Sequence, residues 1–129
     1  MSAFRPLIVA RLLGLIPLAG CSNSTGPAAV ALNVSFSSPN TDDGAVLLTI
    51  SGGPVDSVEA VGYKIYLARA GSETLSLIVT GHLKPGPIAR IHVPDGRRVS
   101  RYSARIGQVA ARVTYAQRDP ASYGASVLP

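Results

Sequence analysis

The chain has 129 residues, of which 47% are hydrophobic and 15% charged, a composition typical of one globular domain and too short for two. Twelve lysines and arginines against seven acidic residues give a formal net charge of +5, which favours contact with acidic partners over basic ones. The single cysteine excludes an intramolecular disulfide, so stability must come from packing and backbone pairing.

Residues 1–20 have the features of a secretory signal peptide. Arg5 and Arg11 carry its positive charge, and a short apolar run follows from Leu12 to Ala19. The run is far below the ~20 apolar residues that span a bilayer, so a permanent transmembrane helix is not expected. A basic start, a short apolar run and small residues at its end predict a segment that is removed after export.

The end of this segment, Leu18-Ala19-Gly20-Cys21, resembles the lipobox of bacterial lipoproteins. The resemblance covers about the first 21 residues and includes the only cysteine of the chain. It implies that the chain is cut before Cys21, that the Cys21 thiol receives a diacylglycerol and that the new N-terminus is acylated. The implied location is the cell envelope, with the membrane as a partner through the N-terminal lipid. Ser22, in place of aspartate after the cysteine, implies the outer membrane if the host is diderm.

Removal of Arg5 and Arg11 with the signal lowers the net charge from +5 to about +3. Delivery outside the cytoplasm makes nucleic acid an unexpected partner. A mildly basic exported domain is expected to contact an envelope protein or an anionic surface polymer, if it contacts anything through charge.

After the cysteine, residues 21–29 are small, polar and turn-rich and predict a short flexible tether. From Val30 the pattern changes to a period of two, which is typical of half-buried strands. Strands are predicted at residues 30–37, 45–51, 55–61, 63–67, 74–80, 88–93, about 100–110 and 123–128.

Two segments have patterns that do not indicate a strand alone. Residues 81–87 contain two glycines and two prolines, and this composition predicts an irregular connection. Residues 100–114 match both a strand and a helical stripe. A strand through about Ala110 is predicted here, because the neighbouring elements are strands and Gly107 weakens a helix by up to ~1 kcal/mol.

Seven or eight short strands with turns of glycine, proline and aspartate between them predict a single all-β domain, an antiparallel β-sandwich over residues 30–129. The pattern is similar to that of immunoglobulin-like and cohesin-like sandwiches of secreted bacterial proteins. It departs from true immunoglobulin domains, because the chain has no tryptophan and lacks their Cys–Trp–Cys signature.

No catalytic constellation is found in the sequence. His82 and His92 match no metal-ligand spacing, and no Gly-x-Ser-x-Gly motif is present. The carboxylates show no spacing that indicates a glycosidase pair, although the separation that matters is spatial. No enzyme activity and no cofactor are therefore predicted, and a hydrolase with dispersed residues stays an alternative.

One local cluster of oxygen ligands, Asn40, Asp42 and Asp43, precedes Gly44 and partly resembles a calcium loop. The rest of that pattern fails, because the first and last ligand positions fall on side chains that cannot coordinate. The alternative interpretation is that these side chains bond to the backbone of their own turn.

Arg97, Arg98, Arg101 and Arg105 form the densest positive stretch, directly after the Pro94-Asp95-Gly96 turn. They are either a patch for an anionic ligand or part of a solvated surface. The leading hypothesis is a membrane-anchored, non-enzymatic interaction or structural module, which should present an exposed apolar patch or an open edge strand. The alternative is a module that binds an anionic glycan or lipid through these arginines.

Overall fold

Alternating apolar and polar side chains fold the chain into two antiparallel sheets whose apolar sides face each other. The computed structural model describes residues 27–129. The predicted signal peptide 1–20, Cys21 and most of the predicted tether lie outside the described residues. The strands of the described part are β1 Val30–Ser37, β2 Asp43–Ser51, β3 Ser57–Ala60, β4 Lys64–Arg69, β5 Thr74–Leu83, β6 Gly86–Val93, β7 Ser103–Ala111, β8 Gln117–Arg118 and β9 Gly124–Leu128.

One sheet has four strands in the order β3-β6-β1-β9, and the other has five in the order β4-β5-β2-β7-β8. This arrangement confirms the predicted all-β sandwich. Two short 3-10 helices, Gly96–Arg101 and Pro120–Ser122, lie between strands. No helix in the described part of the chain is both long and apolar enough to cross a bilayer.

The core lies between the sheets and is formed by every second residue of the central strands. Because each fully buried aliphatic side chain contributes about 1.5–3 kcal/mol, this layer dominates the stability of the fold. Its largest fully buried side chains are Leu32, Val34, Phe36, Val46, Leu48, Ile50, Leu75, Leu77, Val79, Leu83, Ile88 and Ile91.

The prediction for residues 81–87 is wrong in most of its length. β5 continues to Leu83 and β6 begins at Gly86, although the two strands belong to different sheets. Gly81 and Gly86 have φ angles of 143° and 123°, values that L side chains rarely adopt. These glycines let the backbone pass from one sheet to the other while it remains extended. The glycines and prolines of residues 81–87 therefore mark a sharp bend and not a long irregular loop.

The interpretation of residues 100–114 is confirmed for its strand, since β7 runs from Ser103 to Ala111. The preceding 3-10 helix was not predicted. The Asp95 side chain accepts a hydrogen bond from the Arg97 backbone N–H at 3.0 Å and caps this helix. The residue pair β8 was not predicted either, because two residues are too few to carry a periodic signal.

The sandwich has two ends that differ in what they carry. The N-terminal end is the one where β1 begins, and there the Gly96 N–H donates to the carbonyl of Ala28 at 2.8 Å. This bond places the start of the domain beside the Gly96–Arg101 helix. The far end carries residues 38–43, which lead from β1 into β2, and residues 112–123, which lead from β7 to β9. Both segments pass from one sheet to the other.

Candidate interaction surface

The outer face of the four-stranded sheet is polar. Glu59 on β3 accepts a hydrogen bond from His92 Nε2 at 2.7 Å, and the Arg90 guanidinium lies 3.9 Å from the same oxygen. The hydrogen bond from His92, followed by the charges of His92 and Arg90, lowers the pKa of Glu59 below its ordinary value of 4.5. The histidine therefore belongs to a hydrogen-bonded group on a solvated face.

The outer face of the five-stranded sheet is different, because an apolar row crosses its centre. Tyr66 on β4 lies directly opposite Ile78 on β5, and Ile78 lies opposite Leu47 on β2. Tyr66 is 54% exposed and Ile78 42% exposed. We call Tyr66, Ile78 and Leu47 the apolar row.

Charges stand only at the borders of this row. Lys64 lies opposite Thr80, and Arg105 lies opposite Thr49, two residues along the strands to either side of the row. Between them the face carries alanine, serine and threonine side chains, and Gln108 lies opposite Leu47 at the β7 end of the row. Such a contiguous apolar strip with a polar border is typical of a docking surface, since isolated surface residues would not line up in register.

β4 is also an open edge of the five-stranded sheet. Its central residue Leu67 is exposed on the side opposite to Tyr66. Arg69 closes one end of the edge, because its guanidinium donates to the carbonyls of Val55 at 2.8 Å and Asp56 at 3.3 Å. The five-stranded sheet therefore has an exposed apolar row on its outer face and an open edge strand at β4.

A cleft of about 500 Å³ adjoins the row at the far end of the same face. Gly44, Ala45, Gly81, Ala110 and Ala111 form its floor, and the longer side chains of Thr80, His82, Arg112 and Tyr115 line it. The floor is low because it is built from residues with no side chain beyond Cβ. Sequence reasoning missed this cleft, because the three strands that form it come together only through the register of the sheet.

The four arginines predicted as one patch are divided in the structure. Arg97 and Arg98 pair with Asp95, with nitrogen-to-oxygen distances of 3.0 Å and 3.4 Å. The side-chain hydrogen bond from Arg97 lowers the pKa of Asp95. Arg101 lies beside them at the N-terminal end, where it lines a cleft of about 280 Å³ with Arg98 and Asp95. Arg105 lies apart from them, on the outer face of the five-stranded sheet.

The cluster that partly resembles a calcium loop joins the two sheets at the far end. Asp43 is fully buried, and its carboxylate accepts hydrogen bonds from Tyr123 OH at 2.7 Å and from Ser38 Oγ. Asn40 Nδ2 donates to the same tyrosine oxygen at 2.8 Å. Asp42 points outward and pairs with Arg118 at 2.9 Å.

The oxygens of Asp42 and Asp43 are therefore engaged by protein donors. Among residues 27–129, no group of three or more histidine, cysteine, aspartate or glutamate side chains is placed to hold a metal ion. The second histidine, His82, makes a hydrogen bond between its Nε2 and the carbonyl of Thr41 at 3.0 Å.

Comparison of the chain with protein-family models, with curated proteins and with solved structures finds no match.

Proposed function

We propose that this chain is a lipid-anchored envelope protein that docks a protein partner on the outer face of its five-stranded sheet and catalyses no reaction. The observation that carries the proposal is the apolar row, in which Tyr66 and Ile78 are exposed and Leu47 is half-buried, with charged side chains only at its borders. Tyrosine beside an aliphatic residue in the middle of a surface is the composition of an interface centre, with charges kept to the rim.

The energetics favour a partner over solvent at this position. Apolar surface contributes about 25 cal/mol per Å² when it is removed from water, and a partly exposed tyrosine and isoleucine side by side offer such surface in one place. The sheet beneath them is rigid, because Ile78 and Leu47 lie on the two adjacent interior strands β5 and β2. Docking on such a face costs little ordering entropy compared with docking on a loop.

Anchoring through Cys21 would leave this face free. Ala28 is held at the N-terminal end by its bond to Gly96. The seven residue-to-residue steps from Cys21 to Ala28 reach at most about 25 Å at full extension. The N-terminal end would then lie near the bilayer, and the apolar row, in the middle of the sheet, would be accessible from the side.

The anchor is tested by substitution of the cysteine. In Cys21→Ser, we expect uncut precursor and no incorporation of labelled fatty acid, because the lipid acceptor is gone. Immunoblotting after metabolic labelling with palmitate measures both effects. Ser22→Ala is the matched control and should be processed as the wild type is. Normal processing of Cys21→Ser would refute lipidation at this residue.

The docking face is tested by placing a charge in the row. Ile78→Asp should reduce the partner that co-purifies from gently solubilised envelopes at least about tenfold, equivalent to a loss of about 1.4 kcal/mol, because the carboxylate would be buried without a counter-charge. Quantitative mass spectrometry of tagged full-length protein measures the change.

Leu128→Asp is the matched control, since Leu128 is 52% exposed but lies on the outer face of the four-stranded sheet. It should retain the partner. Equal retention by both variants would contradict docking on the apolar row, provided that both have the thermal stability of the wild type. Equal loss from both would show that any surface charge disrupts the complex and would equally contradict it.

A second candidate function is binding of an anionic ligand at the N-terminal end. The observation that favours it is that Arg97, Arg98 and Arg101 lie on the short helix whose first residue, Gly96, is bonded to Ala28, at the end from which a tether would leave. The same purification with Arg97→Ala/Arg98→Ala distinguishes the two candidates. Loss of the bound component in this variant and in raised salt, with retention in Ile78→Asp, would assign binding to the arginines.

A further inference from the structure

The cleft at the far end has a floor that excludes one common mode of binding. It lies over β5, β2 and β7, which are interior strands of the five-stranded sheet. The β2–β5 register is interrupted at Gly44 and at Gly81–His82, but the residues before and after them pair with the neighbouring strand, so no strand-length edge is open to an added peptide. A ligand here must be held by side chains at the rim.

Tyr115 stands at this rim in an unusual conformation. Its φ angle is 61°, the one positive value among the non-glycine residues of the described part, and it is 79% exposed. Two hydrogen bonds close its turn, from the Tyr115 N–H to the Ala111 carbonyl at 3.2 Å and from the Ala111 N–H to the Ala116 carbonyl at 2.9 Å. A bulky residue held in the left-handed region beside a cleft is a strained feature of the kind that clusters at ligand sites.

Arg112 lines the same cleft and supplies a positive charge there. Its backbone is fixed, because the Arg112 N–H donates to the Asp42 carbonyl at 2.7 Å and its Cα packs on Gly44 too closely for any larger residue there. Within residues 27–129 no carboxylate forms an ion pair with its guanidinium. Of the acids at this end, Asp42 and Asp43 face Arg118, and the Asp119 side chain accepts a hydrogen bond from the Ala121 N–H.

We propose that this cleft binds an anionic saccharide, with one sugar ring stacked on Tyr115 and its acidic group paired with Arg112. An exposed aromatic ring offers a flat apolar platform for the C–H face of a pyranose, and Thr80 and His82 offer polar groups for its hydroxyls. A volume of about 500 Å³ is in the range of small-molecule sites. The planar guanidinium can form two parallel hydrogen bonds with a carboxylate, and for this reason the proposed ligand is acidic.

This site is distinct from the apolar row, and its failure would leave the docking proposal standing. The test is isothermal titration of the processed full chain in detergent with tetragalacturonate, a tetrasaccharide of uronic acids. Uncharged maltotetraose is the matched ligand. We expect heat of binding with tetragalacturonate and at least about tenfold weaker binding of maltotetraose, a factor that corresponds to the loss of one charge-assisted contact.

The variants separate the ring from the charge. Tyr115→Asn should abolish binding while it keeps the turn, because asparagine tolerates a positive φ, and Tyr115→Phe should retain binding. Arg112→Gln should remove the preference for the acidic ligand. Val113→Ala is the control, since Val113 is 73% exposed on the same turn but does not line the cleft. No binding of tetragalacturonate by the wild type, equal binding of both saccharides, or equal losses in Tyr115→Asn and Val113→Ala would overturn the proposal.

Discussion

Asp43→Ala is expected to lower the free energy of unfolding by about 3 kcal/mol, because it removes the acceptor of two hydroxyl groups at once. Tyr123 OH and Ser38 Oγ both donate to this carboxylate, and Asp43 itself is fully buried. A polar group left without a partner in such a place costs about 1–3 kcal/mol. The Ser38 bond closes the β1–β2 connection on the first residue of β2, and the Tyr123 bond joins that residue to the one before β9, so the loss of both should destabilise the whole far end.

Asp42→Ala is the matched control, because it removes the neighbouring carboxylate from the same segment. Asp42 is exposed, and its only side-chain partner among the described residues is Arg118 at 2.9 Å. A surface ion pair of this kind contributes about 0–1 kcal/mol. Urea unfolding of both variants measures the difference, and equal losses of stability would contradict a special role for Asp43.

Coupling within this network gives a stricter check of the same prediction. If the Tyr123 hydroxyl stabilises the fold through its hydrogen bond to Asp43, the double variant Asp43→Ala/Tyr123→Phe should lose less stability than the sum of the losses in the two single variants. Strictly additive losses would show that the hydrogen bond of 2.7 Å carries no stability of its own.

Much of the fold follows from local pattern, and the reason is physical. The strands that line the core alternate apolar and polar residues, as at Val30–Ser37, because one side of each faces the opposite sheet. The order of the strands in the sheets is not contained in this alternation. The Gly81–Pro87 prediction failed for a related reason, since glycine and proline signal a change of direction without stating whether the strand ends there.

The candidate sites were much less accessible to sequence reasoning. Ile78 and Leu47 lie in almost continuous apolar runs, and a run does not state which of its side chains face solvent. The structure decides this through register, which turns Val46 and Leu48 inward and leaves Leu47 on the outer face. The Asp43 network joins residues 80 positions apart, a separation at which a single sequence carries no pairing signal.

Gly52→Ala is expected to destabilise the N-terminal end by about 3 kcal/mol or more, the sum of a steric and a backbone contribution. A Cβ at this position would lie 1.9 Å from the carbonyl oxygen of Arg101, and the φ angle of Gly52 is 116°. The obstacle is backbone, so no side-chain movement relieves it. Tyr102 follows Arg101 directly, and its hydroxyl donates to the Pro54 carbonyl at 2.6 Å, so a shift of Arg101 would also disturb this bond. Burial of Tyr102 raises the pKa of its phenol.

Gly71→Ala separates the two contributions, because Gly71 has a similar φ of 128° and no atom within 4 Å of the added Cβ. It should lose only the backbone contribution, about 1–2 kcal/mol. The difference between the two variants in thermal or urea unfolding therefore measures how firmly the β2–β3 connection packs against Arg101. Equal losses of stability would mean that the N-terminal end rearranges around the added Cβ at little energetic cost. The three neighbouring arginines would then lack the fixed positions that a binding surface at the N-terminal end requires, which would count against the second candidate function and leave the apolar row unaffected.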